Sequence, residues 1–367
     1  MLQSARDLLY QEHPPLSIPT LGFAAQSATT PLAPFSFERR DPRPDDVTID
    51  ILYCGVCHSD IHQARNEWHN SLFPMVPGHE IIGTVSAVGA KVSGFKVGDR
   101  VGVGCMVDSC RECAPCKADL EQYCEDGATL TYNGRDRHDH SLTFGGYSER
   151  IVVSEAFVLR LPDALDAKSA APLLCAGITT YSPLRHWQVG PGSRVAVIGL
   201  GGLGHMGLKL AKAMGAEVSL FTRSPGKEDE AKRLGADHVV LSTDEARMKA
   251  VAGHFNLIID TVPHPHDLNP YVSTLALDGT LVLVGLLGPI EPVIDSVPLV
   301  IGRRAVAGSA IGGIAETQEM LDFCAAKGVT ADVEMLDINN INAAYDRMLK
   351  SDVRYRFVID MATLRGA

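Results

Sequence analysis

Four cysteines within a short segment form the most specific chemical pattern in the sequence. They follow the spacing C-x2-C-x2-C-x7-C and are Cys110, Cys113, Cys116 and Cys124. Tetrahedral Zn²⁺ binds four thiolates at about 2.3 Å, and C-x2-C turns direct successive thiolates at one point. Because four thiolates fill the coordination sphere, we expect a structural zinc here, with no open position for a substrate.

A second group of candidate metal ligands occupies two segments, CGVCHSDIH (54–62) and GHE (78–80). A catalytic zinc takes three protein ligands and leaves a fourth position for water or substrate. The spacing alone does not choose between Cys54 and Cys57, nor among the histidines. From these residues alone, redox-active, metal-binding and purely structural roles all stay open.

A glycine-rich segment indicates a dinucleotide site. It has the G-x-G-x-x-G register, directly follows the apolar segment SRVAVI and opens a predicted helix. Glycine permits a tight turn and a close approach of the backbone to a pyrophosphate, which then lies at the helix N-terminus. We therefore predict cofactor contacts from Gly199, Leu200, Gly201, Gly202, Leu203 and Gly204.

The next strand distinguishes between the two nicotinamide dinucleotides. An NAD-binding unit usually places Asp or Glu about twenty residues after the glycine motif, where it holds the ribose hydroxyls. EVSLFTRSPGK (217–227) has no acid at the end of its strand. The residues at the end of this strand and just after it are instead Thr222, Arg223, Ser224 and Lys227. Hydroxyls and cations suit a 2′-phosphate, so we expect NADP(H).

Two kinds of secondary structure must position these groups. Up to about residue 165, short β-branched segments punctuated by Gly and Pro predict a β-rich, barrel-like unit. A predicted helix, ALDAKSAAPLLCAGITTYSPL, then leads into apolar strands that alternate with helices, which predicts a parallel sheet. The fold class is therefore α/β, and the tail after Ser309 fits either unit.

Length and composition exclude several functional classes. A chain of 367 residues with 46% hydrophobic and 21% charged residues predicts a globular protein of two domains. The net charge of −11 argues against nucleic-acid and anionic-membrane partners. The start shows no secretory signal, and nine cysteines then favour metal ligation or free thiols over disulfides. We expect a cytoplasmic protein with a small-molecule substrate and no membrane partner.

Taken in order, CGVCHSDIH, PGHE, the four-cysteine cluster and GLGGLGH resemble the zinc-dependent medium-chain alcohol dehydrogenases. Within that family they are most similar to the cinnamyl-alcohol-dehydrogenase-type branch and its bacterial aldehyde reductases. The resemblance implies a GroES-like catalytic domain at 1–174 and 309–367, with 1–20 as an extension. It also implies a Rossmann NADP-binding domain at 175–308, two zinc ions per subunit, and a homodimer formed near 281–302.

The resemblance further assigns the second metal site. By this resemblance a catalytic zinc is held by Cys57, His79 and Cys175. This Cys2His coordination is the established one of alcohol dehydrogenase and is carried over, not worked out from spacing. Glu80 becomes an alternate ligand or a supporting carboxylate, and Asp60 is expected to orient His79 or the Cys57 turn. Packing roles are left for Cys54, Cys105 and Cys324.

The implied chemistry is hydride transfer, with zinc as a Lewis acid at the substrate oxygen. By resemblance Ser59 contacts the alcohol, and its proton passes through the nicotinamide ribose hydroxyl to His62. His58 is expected to face the cofactor phosphates. Trp68 is expected to line the substrate pocket, although a core tryptophan fits equally well. Further cofactor contacts are expected from Thr179, Thr261, Val262, Val284, Gly285, Leu286, Ser309, Ala310 and Ile311.

The sequence thus predicts an NADP(H)-linked alcohol dehydrogenase that reduces aromatic and aliphatic aldehydes to primary alcohols. One alternative is an NAD-linked polyol or formaldehyde dehydrogenase with the same two zinc sites. Another is a non-catalytic NADPH-binding protein of the same fold. The complete set of predicted catalytic residues argues against this second alternative, because a decayed site would have lost at least one of them.

Overall fold

The computed structural model describes residues 17–285 and 288–366. Its first part consists of short strands, as the frequent Gly and Pro punctuation predicts. The strands are β1 (Ile18–Ala24), β2 (Ala33–Arg39), β3 (Asp46–Gly55), β4 (Ile81–Val88), β5 (Arg100–Val103), β6 (Met106–Asp108), β7 (Thr129–Leu130), β8 (Arg150–Ser154) and β9 (Leu159–Arg160). Between them lie α1 (His58–Ala64), α2 (Ala114–Lys117) and 3₁₀ turns at Glu121–Tyr123 and Glu155–Phe157.

The N-terminal extension was expected to reach residue 20, and this boundary is wrong. β1 begins at Ile18 and pairs antiparallel with β2, with Ile18 opposite Arg39 and Thr20 opposite Phe37. Four of its seven residues, Thr20, Gly22, Phe23 and Ala24, are buried, and all seven pair with β2. Residues 1–16 of the expected extension lie outside the described residues.

The central part alternates helices and strands. Its helices are α3 (Ala167–Ala170), α4 (Ala176–His186), α5 (Gly204–Ala213), α6 (Glu228–Arg233), α7 (Glu245–Ala250), α8 (Asn269–Val272) and α9 (Ser296–Gly302), with 3₁₀ turns at Ala171–Leu174 and Pro225–Lys227. Its strands are β10 (Arg194–Ile198), β11 (Glu217–Thr222), β12 (His238–Leu241), β13 (Phe255–Asp260), β14 (Leu275–Leu283) and β15 (Ala305–Gly308). They form one parallel sheet in the order β12-β11-β10-β13-β14-β15.

The tail returns to the sheet of the first part. It contains α10 (Ile314–Lys327), β16 (Val333–Asp337), α11 (Ile341–Leu349) and β17 (Arg356–Asp360), with 3₁₀ turns at Ile338–Asn340 and Met361–Gly366. β17 pairs with β3, which gives a sheet ordered β16-β17-β3-β4-β5-β9 in which β8 also pairs with β3. The predicted α/β class, a β-rich unit combined with a parallel sheet, is therefore confirmed.

Large hydrophobic clusters fill the interior, and one of them includes residues of both units. One fills the β-rich unit around Val47, Ile49 and Phe357, and another packs α4 and α5 against one face of the parallel sheet. The apolar interior of β10, VAVI, is completely buried because helices cover both faces of a parallel sheet. Among the described helices, none is long and apolar enough to cross a membrane.

Candidate active site

Four residues from three separate segments converge into one buried cluster. Cys57 follows β3 and caps the N-terminus of α1, while His79 and Glu80 immediately precede β4. Cys175 lies at a break in the predicted helix, between the 3₁₀ turn 171–174 and α4. One ligand atom from each residue lies within 4.8 Å of the others. The structure therefore brings together every residue expected at the catalytic zinc.

The donor set fits a zinc ion. Nε2 of His79 and Oε2 of Glu80 are buried and, among the described residues, have no hydrogen-bond partner. Buried polar atoms are rarely left in this state, because each costs about 1–3 kcal/mol. Cys57 Sγ lies 3.8 Å from Cys175 Sγ. Two thiols, an imidazole and a carboxylate at such distances are typical zinc ligands.

The electrostatics of the cluster favour a cation. Burial lowers the pKa of His79, but nearby Cys105, Asp60 and Cys57 outweigh burial and raise that pKa to about 10. The hydrogen bond from the Cys175 thiol, together with Arg356 and His79, holds the pKa of Cys57 well below its usual value. Both shifts show that the surroundings stabilise a thiolate beside positive charge.

Asp60 joins the two turns that carry the ligands. Its Oδ2 accepts the Cys57 N–H at 2.8 Å, which also starts α1 at the following residue. Its Oδ1 accepts the Gly78 N–H at 3.1 Å and lies 3.5 Å from Nδ1 of His79. Asp60 is thus in contact with both of the groups that it was expected to orient.

Two tyrosines that were not predicted also contact this cluster. The hydroxyl of Tyr147 donates to Oδ2 of Asp60 at 3.1 Å, and the side chain is fully buried. The ring of Tyr132 stacks on His79, with centroids 5.6 Å apart and planes at 10°. Nothing in the local sequence around either residue signals this contact, because both reach the site from loops distant in sequence.

Arg356 is a third residue missing from the predictions. It donates to Glu80, and the side chains of both residues are almost completely buried. An ideal Cβ on Gly202 would lie 2.8 Å from Cδ of Arg356, so this side chain also lies against the glycine turn. A signal was present in the sequence: Arg356 begins the otherwise apolar segment RFVI, where a buried cation needs a partner.

Cys105 does not have the simple packing role that was expected. It is only half-buried, and the neighbouring Cys175 thiol lowers its pKa. It therefore borders the candidate metal cluster. Cys54 and Cys324, by contrast, are completely buried in hydrophobic clusters.

The residues expected to move the proton lie on α1. Ser59 and His62 are three residues apart and therefore share one face of the helix. Ser59 Oγ lies 3.6 Å from Cys57 Sγ. Nδ1 of His62 contacts the carboxylate of Glu67, and its ring lies 5.1 Å from the indole of Trp68. His58 begins the same helix, and its ring approaches the backbone of Met348.

The four cysteines of the second cluster also converge, with one sulfur from each within 4.8 Å of the others. The Cys113 N–H donates to Cys110 Sγ at 3.3 Å, and the Cys110 N–H donates to Cys124 Sγ at 3.4 Å. Backbone N–H groups of Glu112 and Cys113 lower the pKa of Cys110 to about 6. This geometry fits a tetrahedral zinc with four thiolates.

The glycine turn forms a cradle at the carboxyl end of β10. Gly199 has φ +90°, and a Cβ on Gly204 would overlap the Gly199 carbonyl oxygen. Around Gly201 the space is open, and α5 begins at Gly204. A pyrophosphate in this space would lie at the positive end of α5.

The residues expected at the 2′-phosphate stand beside this cradle. Lys227 Nζ donates to the Leu200 carbonyl at 3.3 Å, so its side chain crosses the glycine turn. The Ser224 N–H donates to Thr222 Oγ1 at 3.1 Å, and Arg223 is exposed. Hydroxyls and cations therefore surround the carboxyl end of β11.

The other residues expected to contact the cofactor gather at the carboxyl ends of β13, β14 and β15. Thr261 Oγ1 donates to the Ile198 carbonyl at 2.7 Å, and a Cβ on Gly199 would lie 3.3 Å from Val262 Cγ2. The Ser309 N–H donates to the Leu283 carbonyl at 3.0 Å. The neighbouring expected positions are Val284, Gly285, Ala310 and Ile311, with Thr179 one turn after Cys175 on α4. Leu286 lies outside the described residues.

Comparison with known proteins gives two family matches and several close relatives. Residues 43–163 match the alcohol dehydrogenase GroES-like domain, and residues 202–326 match the zinc-binding dehydrogenase domain. The chain is 54% identical to aldehyde reductase YahK of Escherichia coli, covering 93% of this chain and 97% of that protein. It is 54% identical to NADP-dependent alcohol dehydrogenase C of Mycobacterium bovis, covering 93% of this chain and 98% of that protein.

A solved structure is similar along almost the whole chain. The Helicobacter pylori cinnamyl alcohol dehydrogenase complexed with NADP(H) has a TM-score of 0.88 and 43% identity. The match covers 95% of this chain and 99% of that one. The resemblance inferred from the ordered motifs is therefore confirmed.

Proposed function

Because the chain belongs to the zinc-dependent medium-chain alcohol dehydrogenase family, we propose that it reduces aldehydes to primary alcohols with NADPH. The observation that carries this proposal is the buried convergence of Cys57, His79, Glu80 and Cys175 next to the glycine turn. Arg356 contacts both the metal cluster and that turn, so the two sites adjoin.

Cys57, His79 and Cys175 would hold the catalytic zinc, with Glu80 beside them, and the four-cysteine cluster would hold a structural zinc. When bound, the catalytic ion supplies a Lewis acid that polarises the substrate oxygen. Arg356 pairs with Oε1 of Glu80, and Oε2 stays available beside the two thiols and the imidazole, as an alternate ligand or a supporting carboxylate. Asp60 holds the turns that carry Cys57 and His79 at a fixed separation.

Side chains of this protein would also transfer the proton of the alcohol. Ser59 lies next to Cys57 and would contact the hydroxyl of the alcohol. Glu67 binds Nδ1 of His62 and so favours the N–H form at that position, which leaves Nε2 to take up and release protons. The neighbouring indole of Trp68 keeps the imidazole ring in place and lines the approach for the substrate.

NADP(H) is the proposed cofactor because hydroxyls and cations replace the acid that would hold an adenosine ribose. Arg223 and Lys227 would pair with the 2′-phosphate, with Thr222 and Ser224 as hydrogen-bond donors. The named NADP dependence of the Mycobacterium bovis relative and the NADP(H) complex of the Helicobacter pylori structure support this choice.

We extend the proposal to a cytoplasmic homodimer. β15 forms an edge of the parallel sheet, and an edge strand offers unpaired backbone groups to a second copy. Nearby apolar side chains are strongly exposed, with Val293 at 82%, Val300 at 78% and Ile301 at 79%. An exposed apolar group of this kind favours an interface. Sedimentation of the Ile301→Lys variant tests this, and a wild type that sediments as a monomer would contradict it.

We also keep the domain boundaries as a proposal: 1–174 with 309–367, and 175–308. Support comes from β16 and β17, which join the sheet of β3. α10 nevertheless packs on α4, where Met320 and Cys324 enter the cluster that covers the parallel sheet. The two proposed domains therefore share a hydrophobic contact.

An initial-rate panel tests the proposed activity. Aromatic, aliphatic and sugar-derived aldehydes are each offered with NADPH and with NADH, and sorbitol and formaldehyde are included with the oxidised cofactors. We expect aromatic and aliphatic aldehydes with NADPH to give the highest kcat/KM. Faster turnover of sorbitol or formaldehyde with NAD would instead identify a polyol or formaldehyde dehydrogenase, and no turnover at all would indicate a non-catalytic binding protein.

A further inference from the structure

The four-cysteine segment, residues 110–124, contacts a part of the chain far away in sequence. We call residues 110–124 the zinc lobe, and residues 309–313, which connect β15 to α10, the 309–313 loop. The Ala310 N–H donates to the hydroxyl oxygen of Tyr123 at 3.2 Å. The Ile314 N–H, at the start of α10, donates to Oε2 of Glu121 at 3.0 Å. Two hydrogen bonds therefore join the zinc lobe to this loop, one near each end of the loop.

A close backbone approach strengthens this contact. A Cβ on Gly313 would overlap the carbonyl oxygen of Asp119 and would lie 2.6 Å from Oε2 of Glu121. Glycine is thus needed where the lobe meets the first turn of α10. The Glu121 carboxylate also lies at the N-terminus of a 14-residue helix, where the helix dipole favours negative charge.

The backbone between these contacts is strained. Ile311 has φ +36°, and a positive φ is an outlier for a β-branched residue. Such conformations persist only where the surroundings hold them, and they concentrate at ligand-binding sites. Ile311 lies between Ala310, which binds Tyr123, and Gly313, which packs on Asp119. The contacts from the zinc lobe therefore flank Ile311 on both sides, while its side chain packs against two hydrophobic clusters.

The 309–313 loop also lies against the helix that follows the ligand Cys175. A Cβ on Gly312 would come 2.6 Å from Cδ1 of Ile178, next to Thr179 on α4. At its other end, Ser309 is hydrogen-bonded to the last residue of β14. The loop therefore adjoins two groups of residues at which the nicotinamide end of the cofactor is proposed to bind.

We propose that the zinc lobe is a positioning element for the nicotinamide ring, and that it acts by holding the 309–313 loop through Tyr123 and Glu121. This inference rests on the proposed function, in which Ser309, Ala310 and Ile311 line the cofactor. The zinc of the lobe then has two effects: it folds the lobe, and it fixes the loop that places the ring for hydride transfer.

The variants Tyr123→Phe and Glu121→Gln, alone and combined, test this in the full-length zinc-loaded protein. Both residues are partly exposed and each change removes or weakens one polar contact, so the fold is preserved. Glu125→Gln is the matched control, because Glu125 is an exposed carboxylate next to Cys124 for which the structure shows no hydrogen bond among the described residues. The readouts are zinc content, the Kd of NADPH from fluorescence, and the single-turnover rate with NADPH deuterated at the transferred position.

We expect the double variant to keep two zinc ions, to bind NADPH more weakly and to transfer hydride about 10-fold more slowly, since small displacements of reacting groups cost large factors in rate. The control should match the wild type. A double variant with wild-type hydride transfer and Kd would overturn the inference, as would a loss of rate that only follows loss of zinc. Failure of the proposed function is distinct, because the wild type itself would then reduce no aldehyde with NADPH.

Discussion

The Tyr147→Phe variant tests whether the buried partners of Asp60 keep the catalytic zinc in place. Tyr147 donates its hydroxyl to the same Asp60 oxygen that accepts the Cys57 N–H. Its ring packs against Gly78, where an ideal Cβ would lie 2.7 Å from Cδ1 of Tyr147. Phenylalanine keeps this ring and removes only the hydroxyl, so the change removes the hydrogen bond to Asp60 without altering the packing of the ring.

The size of the effect follows from the charge of the acceptor. A hydrogen bond to a charged group contributes about 1.5–3 kcal/mol, and the fully buried Asp60 has no water to replace it. Because Asp60 fixes the turns that carry Cys57 and His79, we expect most of this lost free energy to appear as weaker zinc binding. It corresponds to zinc release about 10- to 100-fold faster, the range typical of groups that orient metal ligands.

Zinc release is followed with an excess of a chromogenic chelator, and the catalytic ion is assigned by parallel loss of aldehyde reduction. Tyr181→Phe is the matched control, because the Tyr181 hydroxyl donates to a Glu319 oxygen at 2.9 Å and neither residue belongs to a cysteine cluster. An unchanged release rate in Tyr147→Phe would show that the Tyr147 hydroxyl does not help to hold the catalytic zinc. Equally accelerated release of both zinc ions would contradict this role as well, since general destabilisation would explain that result.

Three further predictions concern the cofactor, the proton and stability. Arg223→Ala should raise the KM for NADPH about 10-fold and leave the KM for NADH almost unchanged in steady-state kinetics; equal effects would remove the 2′-phosphate contact. His62→Gln should lower alcohol oxidation most at low pH, with recovery on addition of imidazole, whereas an unaltered pH–rate profile would exclude His62 from proton transfer. Burial lowers the pKa of His205 from 6.5 in the unfolded chain to about 4 in the folded protein. As the pH falls from 6.5 to 4, the imidazole therefore binds a proton in the unfolded chain but not in the folded one, and the wild type loses stability. Between pH 7 and 5 the free energy of unfolding of the wild type, measured with urea, should fall by about 2 kcal/mol more than that of His205→Asn. An equal pH dependence in both proteins would contradict this.

Those parts of the site that could be predicted from sequence alone are local. The cysteine cluster and the glycine turn each lie within a few residues, and their spacing alone specifies the geometry of a metal site or a phosphate turn. The parallel sheet followed from apolar strands such as β10, which must be covered on both faces.

The parts that were missed depend on contacts between distant segments. Tyr147 reaches Asp60 across 87 positions, and Arg356 reaches Glu80 across 276. No local pattern specifies such contacts, because they depend on how β17 and the 144–147 loop pack on the ligand turns. Cys175 is intermediate: its apolar surroundings suggest a core residue, and only the family resemblance indicated its place beside Cys57.

We propose that one of two zinc ions binds at Cys57 and is required for NADPH-dependent aldehyde reduction. The most direct test is zinc analysis of the purified wild type and of Cys57→Ser, with benzaldehyde reduction measured on the same samples. We expect two zinc ions per wild-type chain, and one zinc with loss of turnover in Cys57→Ser, whose structural cluster is untouched. A Cys57→Ser protein that keeps either its second zinc or wild-type turnover would contradict it.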